Sequence, residues 1–310
     1  MAPSIIIIYN PAARRASRKQ IDAARTFLEQ RGFSTEVLCT EKSSDAEAFA
    51  RQISGQIPCQ INGQGLGQMR QDKPHMVIAA GGDGTINEVI NGMACSDVPV
   101  GVLPLGTTNV LAREIYEDHH QDAILARIIS GSARRVSLGQ ITCYPGGKPL
   151  SRYFILMAGI GFDGQAVRDI NLPLKKYTGP VAYVLSGLRT LLNYAPEELV
   201  LTMDGREVRG YAAIIGNVSR YGGNFRITPD ARIYEPFLYA CIFQGRKRAD
   251  LLRYVFLMSF GRHIRERDVV YTRAEEITIT GSSPVQIDGD YFGMADAKIT
   301  VAKDVISLIC

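Results

Sequence analysis

Tryptophan is absent from this 310-residue chain, and its four histidines (75, 119, 120 and 263) have no metal-ligand spacing, which argues against a zinc site. No apolar run approaches the roughly 18 residues needed to cross a bilayer as a helix. The N-terminal Ile5-Ile6-Ile7-Ile8 is too short for a signal-peptide core and has no basic segment before it, so it reads as a first strand. The six cysteines (39, 59, 95, 143, 241 and 310) stand singly without CxxC spacing, which argues against a disulfide framework and fits idle thiols in a reducing cytoplasm. No Gly-x-x-x-x-Gly-Lys-Ser/Thr pattern occurs, which removes the commonest nucleotide-loop signature. Internal repeats and low-complexity tracts are also missing. The excess of positive charge is small, +4, which permits contact with an anionic surface and gives no argument for nucleic acid.

What is present is an ordinary globular composition, 46% hydrophobic and 21% charged, at a length that favours two domains. One stretch is dense with signals: Val77-Ile78-Ala79-Ala80-Gly81-Gly82-Asp83-Gly84-Thr85-Ile86-Asn87-Glu88. An apolar strand enters three glycines around one acid. A helix leaves, with Ile86, Val89, Ile90 and Met93 on one face. Thr85 followed by Glu88 reads as a capping box starting that helix. A simple turn needs one glycine; three suit a backbone that a phosphate approaches closely, at a helix N-terminus with free N–H groups. Asp83 would repel that phosphate unless a metal ion, water or proton transfer employs it. The alternative is a tight strand-to-helix turn with Asp83 satisfying backbone donors.

The remainder of the N-terminal part alternates in the same way. Strands are expected at 4–9, 35–39, 76–80 and 98–103. Ser17 with Gln20 and Ser44 with Glu47 read as caps for intervening helices, and a further helix spans 122–129. Residues 54–74, rich in Gly and Gln, read as a long loop. This alternation implies a parallel sheet wrapped by helices, with ligands outside the carboxyl ends of its strands. Asn10, the 81–85 loop and Pro104-Leu105-Gly106-Thr107-Thr108-Asn109 all lie at such ends and should converge. From about residue 136 the texture changes to short strands, expected at 136–143, 153–158, 199–203, 211–215, 238–243, 277–279 and 285–287. Helices are expected near 183–192 and 249–260. The fold expected is α/β: an N-terminal parallel-sheet, Rossmann-like domain (1–135, completed by the tail 295–310) and a C-terminal β-sandwich (136–294).

In order along nearly the whole chain, these motifs resemble the diacylglycerol kinase catalytic family, which includes bacterial lipid kinases and sphingosine and ceramide kinases. The resemblance rests on Gly81-Gly82-Asp83-Gly84-Thr85 with Asn87-Glu88, on Pro104 to Asn109, and on Ala158-Gly159-Ile160-Gly161-Phe162-Asp163. It continues through Lys175-Lys176 with Gly179, Ala182 and Tyr183, then Gly216-Asn217, Tyr221-Gly222-Gly223, Thr228-Pro229-Asp230-Ala231 and Asp288-Gly289-Asp290. Departures are Ala12-Ala13-Arg14-Arg15 after Asn10-Pro11, Val110 and Ser137 where relatives carry Asp, and Tyr234 to Tyr239 in place of an acidic segment.

The resemblance implies a cytoplasmic ATP-dependent lipid kinase in phospholipid metabolism, using magnesium, with peripheral membrane contact and a homodimer as a compatible assembly. Nucleotide contacts would come from Asn10, Gly81, Gly82, Gly84, Thr85, Glu88, Gly106, Thr107, Thr108 and Asn109. Asp83 would organise magnesium, directly or through water. Of Asp288 and Asp290, one would take the proton of the lipid hydroxyl, Asp288 first, and the other would orient it or share the magnesium. Without the resemblance, Asp288-Gly289 is a strong hairpin-turn signal. Two basic clusters, Arg246-Lys247-Arg248 and Arg262-His263-x-Arg265-x-Arg267, flank an apolar helix and suit either lipid headgroups or a solvated face. Competing readings are an NAD kinase-like enzyme, whose nucleotide loop is similar but whose Gly-Ser-Thr-Ala-Tyr segment is missing, and a binding protein that has lost activity, suggested by Val110 and Ser137.

Overall fold

Four short runs, three of them apolar, form the sheet of the first part of the molecule. In the computed structural model, which describes residues 2–55, 73–118, 120–169, 195–223 and 225–310, they are strands β1 (Ser4–Tyr9), β2 (Ser34–Cys39), β3 (Met76–Gly81) and β4 (Val100–Pro104). All pair in parallel in the order β2-β1-β3-β4. Both faces of β1 and β3 are buried, as the unbroken apolar runs require. Between them run α1 (Arg18–Glu29), α2 (Asp45–Ser54), α3 (Asp83–Met93), α4 (Val110–Ile115) and α5 (Gln121–Ser130). Close packing of α2 on α3 depends on Gly92, where a Cβ would stand 2.5 Å from the Ala50 Cβ.

Two compact units emerge, residues 1–136 with 304–310, and residues 137–303. In the first, Leu308 of the chain's last strand adds in parallel beside Val100 of β4. The second is a β-sandwich. One sheet holds β7 (Met157–Ile160), β10 (Ala212–Gly216), β13 (Leu238–Phe243), β14 (Val269–Ala274), β16 (Pro284–Ile287) and β17 (Asp290–Met294), in the order β14-β13-β10-β7-β16-β17 and antiparallel throughout. The other is built on β8 (Leu199–Met203), β9 (Arg206–Gly210), β15 (Glu276–Thr280) and the first half of β18 (Ala297–Ile309), with β5 (Ala133–Cys143) and β6 (Leu150–Phe154). Between the sheets lies one apolar core that includes Phe154, Ile160, Leu201, Ile215, Leu238, Ile277, Val285 and Ile299. Helices α6 (Phe162–Arg168) and α7 (Arg248–Ser259), the two-residue strands β11 (Arg220–Tyr221) and β12 (Phe225–Arg226) and short 3-10 turns at Pro145–Gly147 and His263–Arg265 complete the described part of this unit.

Several local expectations are corrected. The run 153–158 is two strands, β6 and β7, broken at Ile155 and Leu156. Thr85 does not cap α3: the helix begins two residues earlier, with Gly82 as its cap. Ser44 precedes α2 in a left-handed conformation (φ 71°) without a side-chain cap, while Asp45 accepts the Glu41 and Lys42 N–H groups at 2.9 Å. Ser17 does cap α1, accepting the Gln20 N–H at 3.3 Å. Most of the 54–74 loop, the 183–192 helix and the Lys175-Lys176 motif lie outside the described residues.

Candidate active site

In the first unit the adjacency of β1, β3 and β4 places three loops side by side at one sheet edge. The Asn10 N–H donates to the Ala80 carbonyl at 3.0 Å, and the Leu105 N–H to the Gly81 carbonyl at 2.7 Å. Side chains lock the same loops together. Asn10 donates from Nδ2 to the Thr85 Oγ1 at 2.9 Å, which is the use made of that hydroxyl. Thr108 donates from Oγ1 to the Asp83 Oδ2 at 3.0 Å, and the Leu111 N–H reaches Asp83 Oδ1 at 3.3 Å. Asn109, in a left-handed conformation (φ 47°), braces its own loop by accepting the Gly106 N–H at 2.8 Å and donating to the Gly106 carbonyl at 3.1 Å. Half-buried Thr107 stands between them in the chain.

The glycines divide by purpose. A Cβ on Gly81 would lie 2.6 Å from the Thr85 Cβ, and one on Gly106 2.6 Å from the Gly82 Cα, so Gly81 makes room within its own loop and Gly106 lets the two loops touch. A Cβ on exposed Gly84 would meet nothing within 4 Å. Protein packing therefore gives no reason for that glycine, whereas a ligand approaching the first turn of α3 would. The N–H groups opening α3 have no intrahelical acceptor, and the helix dipole favours an anion there. Glu88 points elsewhere: its Oε1 accepts the Ser44 N–H at 3.0 Å and the Ser43 hydroxyl at 3.4 Å, fixing the loop before α2. Val110 is buried at the start of α4 and belongs to the core.

The acid pair belongs to the second unit. Asp288 and Gly289, with φ 49° and 90°, form the two-residue turn between β16 and β17, so the turn signal was correct. Asp288 also has a long-range task. Its Oδ2 accepts the Ile155 N–H at 2.8 Å, and its Oδ1 the Leu156 and Met157 N–H groups, each at 2.9 Å. Ile155 and Leu156 form the break between β6 and β7 and Met157 opens β7, and together the three donors hold the carboxylate in one orientation. Asp290 is exposed at the start of β17.

Beneath the turn lies a group that the motifs alone did not single out. Gln286 accepts the Gly289 N–H at 2.8 Å and donates from Nε2 to the Asp163 Oδ2 at 2.6 Å, while the Tyr221 hydroxyl donates to Asp163 Oδ1. Burial raises the Asp163 carboxyl above its ordinary value, against the lowering effect of these two hydrogen bonds. A Cβ on Gly159 would lie 1.8 Å from Asp163, so that glycine makes room for the carboxylate. Asp163 and Tyr221 sit inside quoted motifs, but their partnership, across 58 residues, has no local signal. Other motif residues are structural: buried Asn217 donates to the Ser137 and Ile155 carbonyls at 3.0 Å, and Thr228 to the Val218 carbonyl at 2.8 Å. Burial pushes the Cys143 and Cys241 thiols up to about 11 and about 12, so neither is a nucleophile at neutral pH.

Residues 4–141 match the model of the diacylglycerol kinase catalytic domain, and residues 157–310 that of the YegS C-terminal NAD kinase beta sandwich-like domain. A diacylglycerol kinase of Bacillus subtilis (strain 168) is 30% identical over 297 residues, 93% of this chain and 90% of that protein. The crystal structure of a diacylglycerol kinase from Bacillus anthracis str. Sterne superimposes with a TM-score of 0.73 at 20% identity, covering 99% of this chain and 97% of the other. Yeast NADH kinase complexed with NADH aligns with a TM-score of 0.51 at 11% identity, covering 100% and 84%, a likeness of fold alone.

Proposed function

The chain belongs to the diacylglycerol kinase catalytic-domain family, and from that premise we propose that it is an ATP-dependent lipid kinase acting on a hydroxyl of diacylglycerol or a related lipid. One observation in the first unit carries the reading: an acid locked at a helix start beside a glycine for which protein packing gives no reason. The N–H groups opening α3 and residues Gly81, Gly82, Gly84 and Thr85 cradle the ATP phosphates, with Asn10, Gly106, Thr107, Thr108 and Asn109 lining the remaining contacts. Glu88 supports this site by holding the Ser43–Ser44 loop, without touching nucleotide.

Magnesium keeps most of its waters and needs only one or two carboxylates beside substrate phosphates. No cluster of three or more His, Cys, Asp or Glu suited to a metal occurs among the described residues, so Asp83 fits the ion through water or together with bound nucleotide. Magnesium would neutralise phosphate charge. Asp288 receives the proton as the lipid hydroxyl oxygen bonds to the γ-phosphorus and the bond to the β-phosphate oxygen breaks, releasing ADP. The transition state of such transfers is loose, so orientation of the acceptor counts for more than strong basicity, and three backbone donors provide orientation. Asp290 orients the incoming hydroxyl.

The test is ADP release by purified full-length chain with ATP and magnesium. Release stimulated by dispersed diacylglycerol or a sphingoid lipid supports the reading. Stimulation by NAD alone favours the NAD kinase-like alternative, and no stimulation by any acceptor favours a binding protein.

A further inference from the structure

Helix α7 exposes apolar surface that its own unit does not cover. Its inner face buries Leu251 and Tyr254, but Leu252 is 53% exposed, Val255 48%, Phe256 64% and Phe260, just past its end, 64%. The spacing i, i+3, i+4 and i+8 puts these four on one stripe. The ends of the helix are basic: Arg246 and Lys247 before it and Arg248 at its first position, Arg262, Arg265 and Arg267 after it, all exposed. The neighbouring acids are already engaged. Arg253 binds Glu266 at 2.5 Å, Asp268 more closely and Asp250 at 3.7 Å, and none of the six outer cations sits in an ion pair among the described residues.

We propose that this stripe, with its two basic ends, is the surface by which the protein docks on an anionic lipid bilayer. An apolar stripe with aromatics between cationic ends matches a helix lying in the headgroup layer, where side chains enter hydrocarbon and cations meet phosphates. A second copy fits worse, because a two-fold interface would set the six cations against their own duplicates. Nucleic acid would use the cations and leave Phe256 and Phe260 in water. The inference deepens the lipid-kinase reading and rests on it, since a bilayer is where the acceptor lipid resides. Within the second unit the surface connects to the acid turn: β12 packs on α7 and pairs with β11, whose Tyr221 holds Asp163 and, through Gln286, Gly289. Exposed Phe225 on β12 adds to the apolar area.

The test compares wild-type full-length chain with Phe256→Glu/Phe260→Glu and with Arg262→Glu/Arg265→Glu/Arg267→Glu, exposed sites at which unchanged melting temperatures are expected. Wild type should co-sediment with phosphatidylcholine vesicles containing phosphatidylglycerol, and less with phosphatidylcholine alone. Each variant should lose at least about tenfold in affinity. Turnover of long-chain diacylglycerol in vesicles should fall in parallel, and turnover of a dissolved short-chain diacylglycerol should not. Variants that bind vesicles like wild type overturn the proposal, as does wild-type self-association that the variants abolish while vesicle binding persists. Absent turnover of both substrates, with vesicle binding still lost in the variants, overturns the kinase reading and leaves the docking surface standing.

Discussion

The candidate residues of the first unit and those of the second are held by different kinds of contact. In the first unit, three neighbouring strand ends bring the loops together, and side chains lock one loop to the next through Asn10–Thr85 and Asp83–Thr108. Space there is the scarce quantity: Gly81 makes room for Thr85, and Gly106 allows its loop to touch Gly82. In the second unit, Asp288 reaches backbone donors 131 to 133 residues away, and a buried acid supports the turn from below. The scarce quantity there is acceptor capacity. The loops of the first unit should therefore be sensitive to added volume, and the acid turn of the second unit to lost negative charge.

Asp288→Asn should have the largest effect. Asparagine keeps one acceptor oxygen and turns an NH2 toward backbone N–H groups, so both the turn and the proton acceptor suffer. A fall in turnover of roughly 100- to 10,000-fold is expected, with a stability loss of about 1–3 kcal/mol, measured by ADP release and urea unfolding. Asp83→Asn should cost roughly a hundredfold in turnover, the size expected for losing one electrostatic contact in a transition state. It should leave unfolding nearly unchanged, because the amide oxygen can still accept the Leu111 N–H while the NH2 donates to the Thr108 hydroxyl, which can accept as well as donate. If Asp83→Asn unfolds the protein while Asp288→Asn does not, the contrast between the two units is wrong.

A pair of glycine substitutions sharpens the contrast within the first unit. Gly106→Ala forces a Cβ to within 2.6 Å of Gly82 and should destabilise by about 1–3 kcal/mol. Gly84→Ala meets open space and should leave the melting temperature alone while raising the KM for ATP. An unchanged KM would remove the ligand argument for Gly84.

How much was legible in the sequence follows the same division. The α/β class and sandwich could be read because buried parallel strands and two-faced antiparallel strands have different apolar patterns. Convergence of Asn10, the 81–85 loop and the 104–109 loop followed from strand ends alone. Side-chain partners were less accessible. Thr85 and Glu88 have the spacing of a capping box, yet Thr85 accepts from Asn10, 75 residues away, and Glu88 binds Ser43 and Ser44. A local pattern cannot reveal that a distant donor competes for the same oxygen. The Asp163–Gln286–Gly289 support was missed for the same reason, and the break at Ile155 and Leu156, which supplies two of the Asp288 donors, reads in sequence as continuous strand.

His263 shows how a buried group corrects a surface reading, and it sets the smallest expected effect. In sequence it sits inside a basic cluster; in the fold it is fully buried, with Nε2 donating to the Ile227 carbonyl at 2.9 Å. Burial lowers its pKa below the ordinary 6.5, so the ring is neutral at physiological pH and adds nothing to the cationic surface of α7. The unfolded chain binds the proton more readily, so stability contributed at neutral pH is lost as pH falls below 6.5. Asp163 acts in the opposite direction. Its raised pKa means the folded chain holds its proton longer, so stability is lost as pH rises from the ordinary carboxyl value of 3.8 through the folded one. His263→Gln, whose amide can donate to Ile227, should flatten the decline in melting temperature below pH 6.5, and Asp163→Asn should remove the decline that begins above 3.8. Because the two slopes oppose each other, the wild-type profile alone understates both. Melting curves of the two single variants and the double variant separate them, and an unchanged acid limb in His263→Gln would show that the ring is not the group responsible.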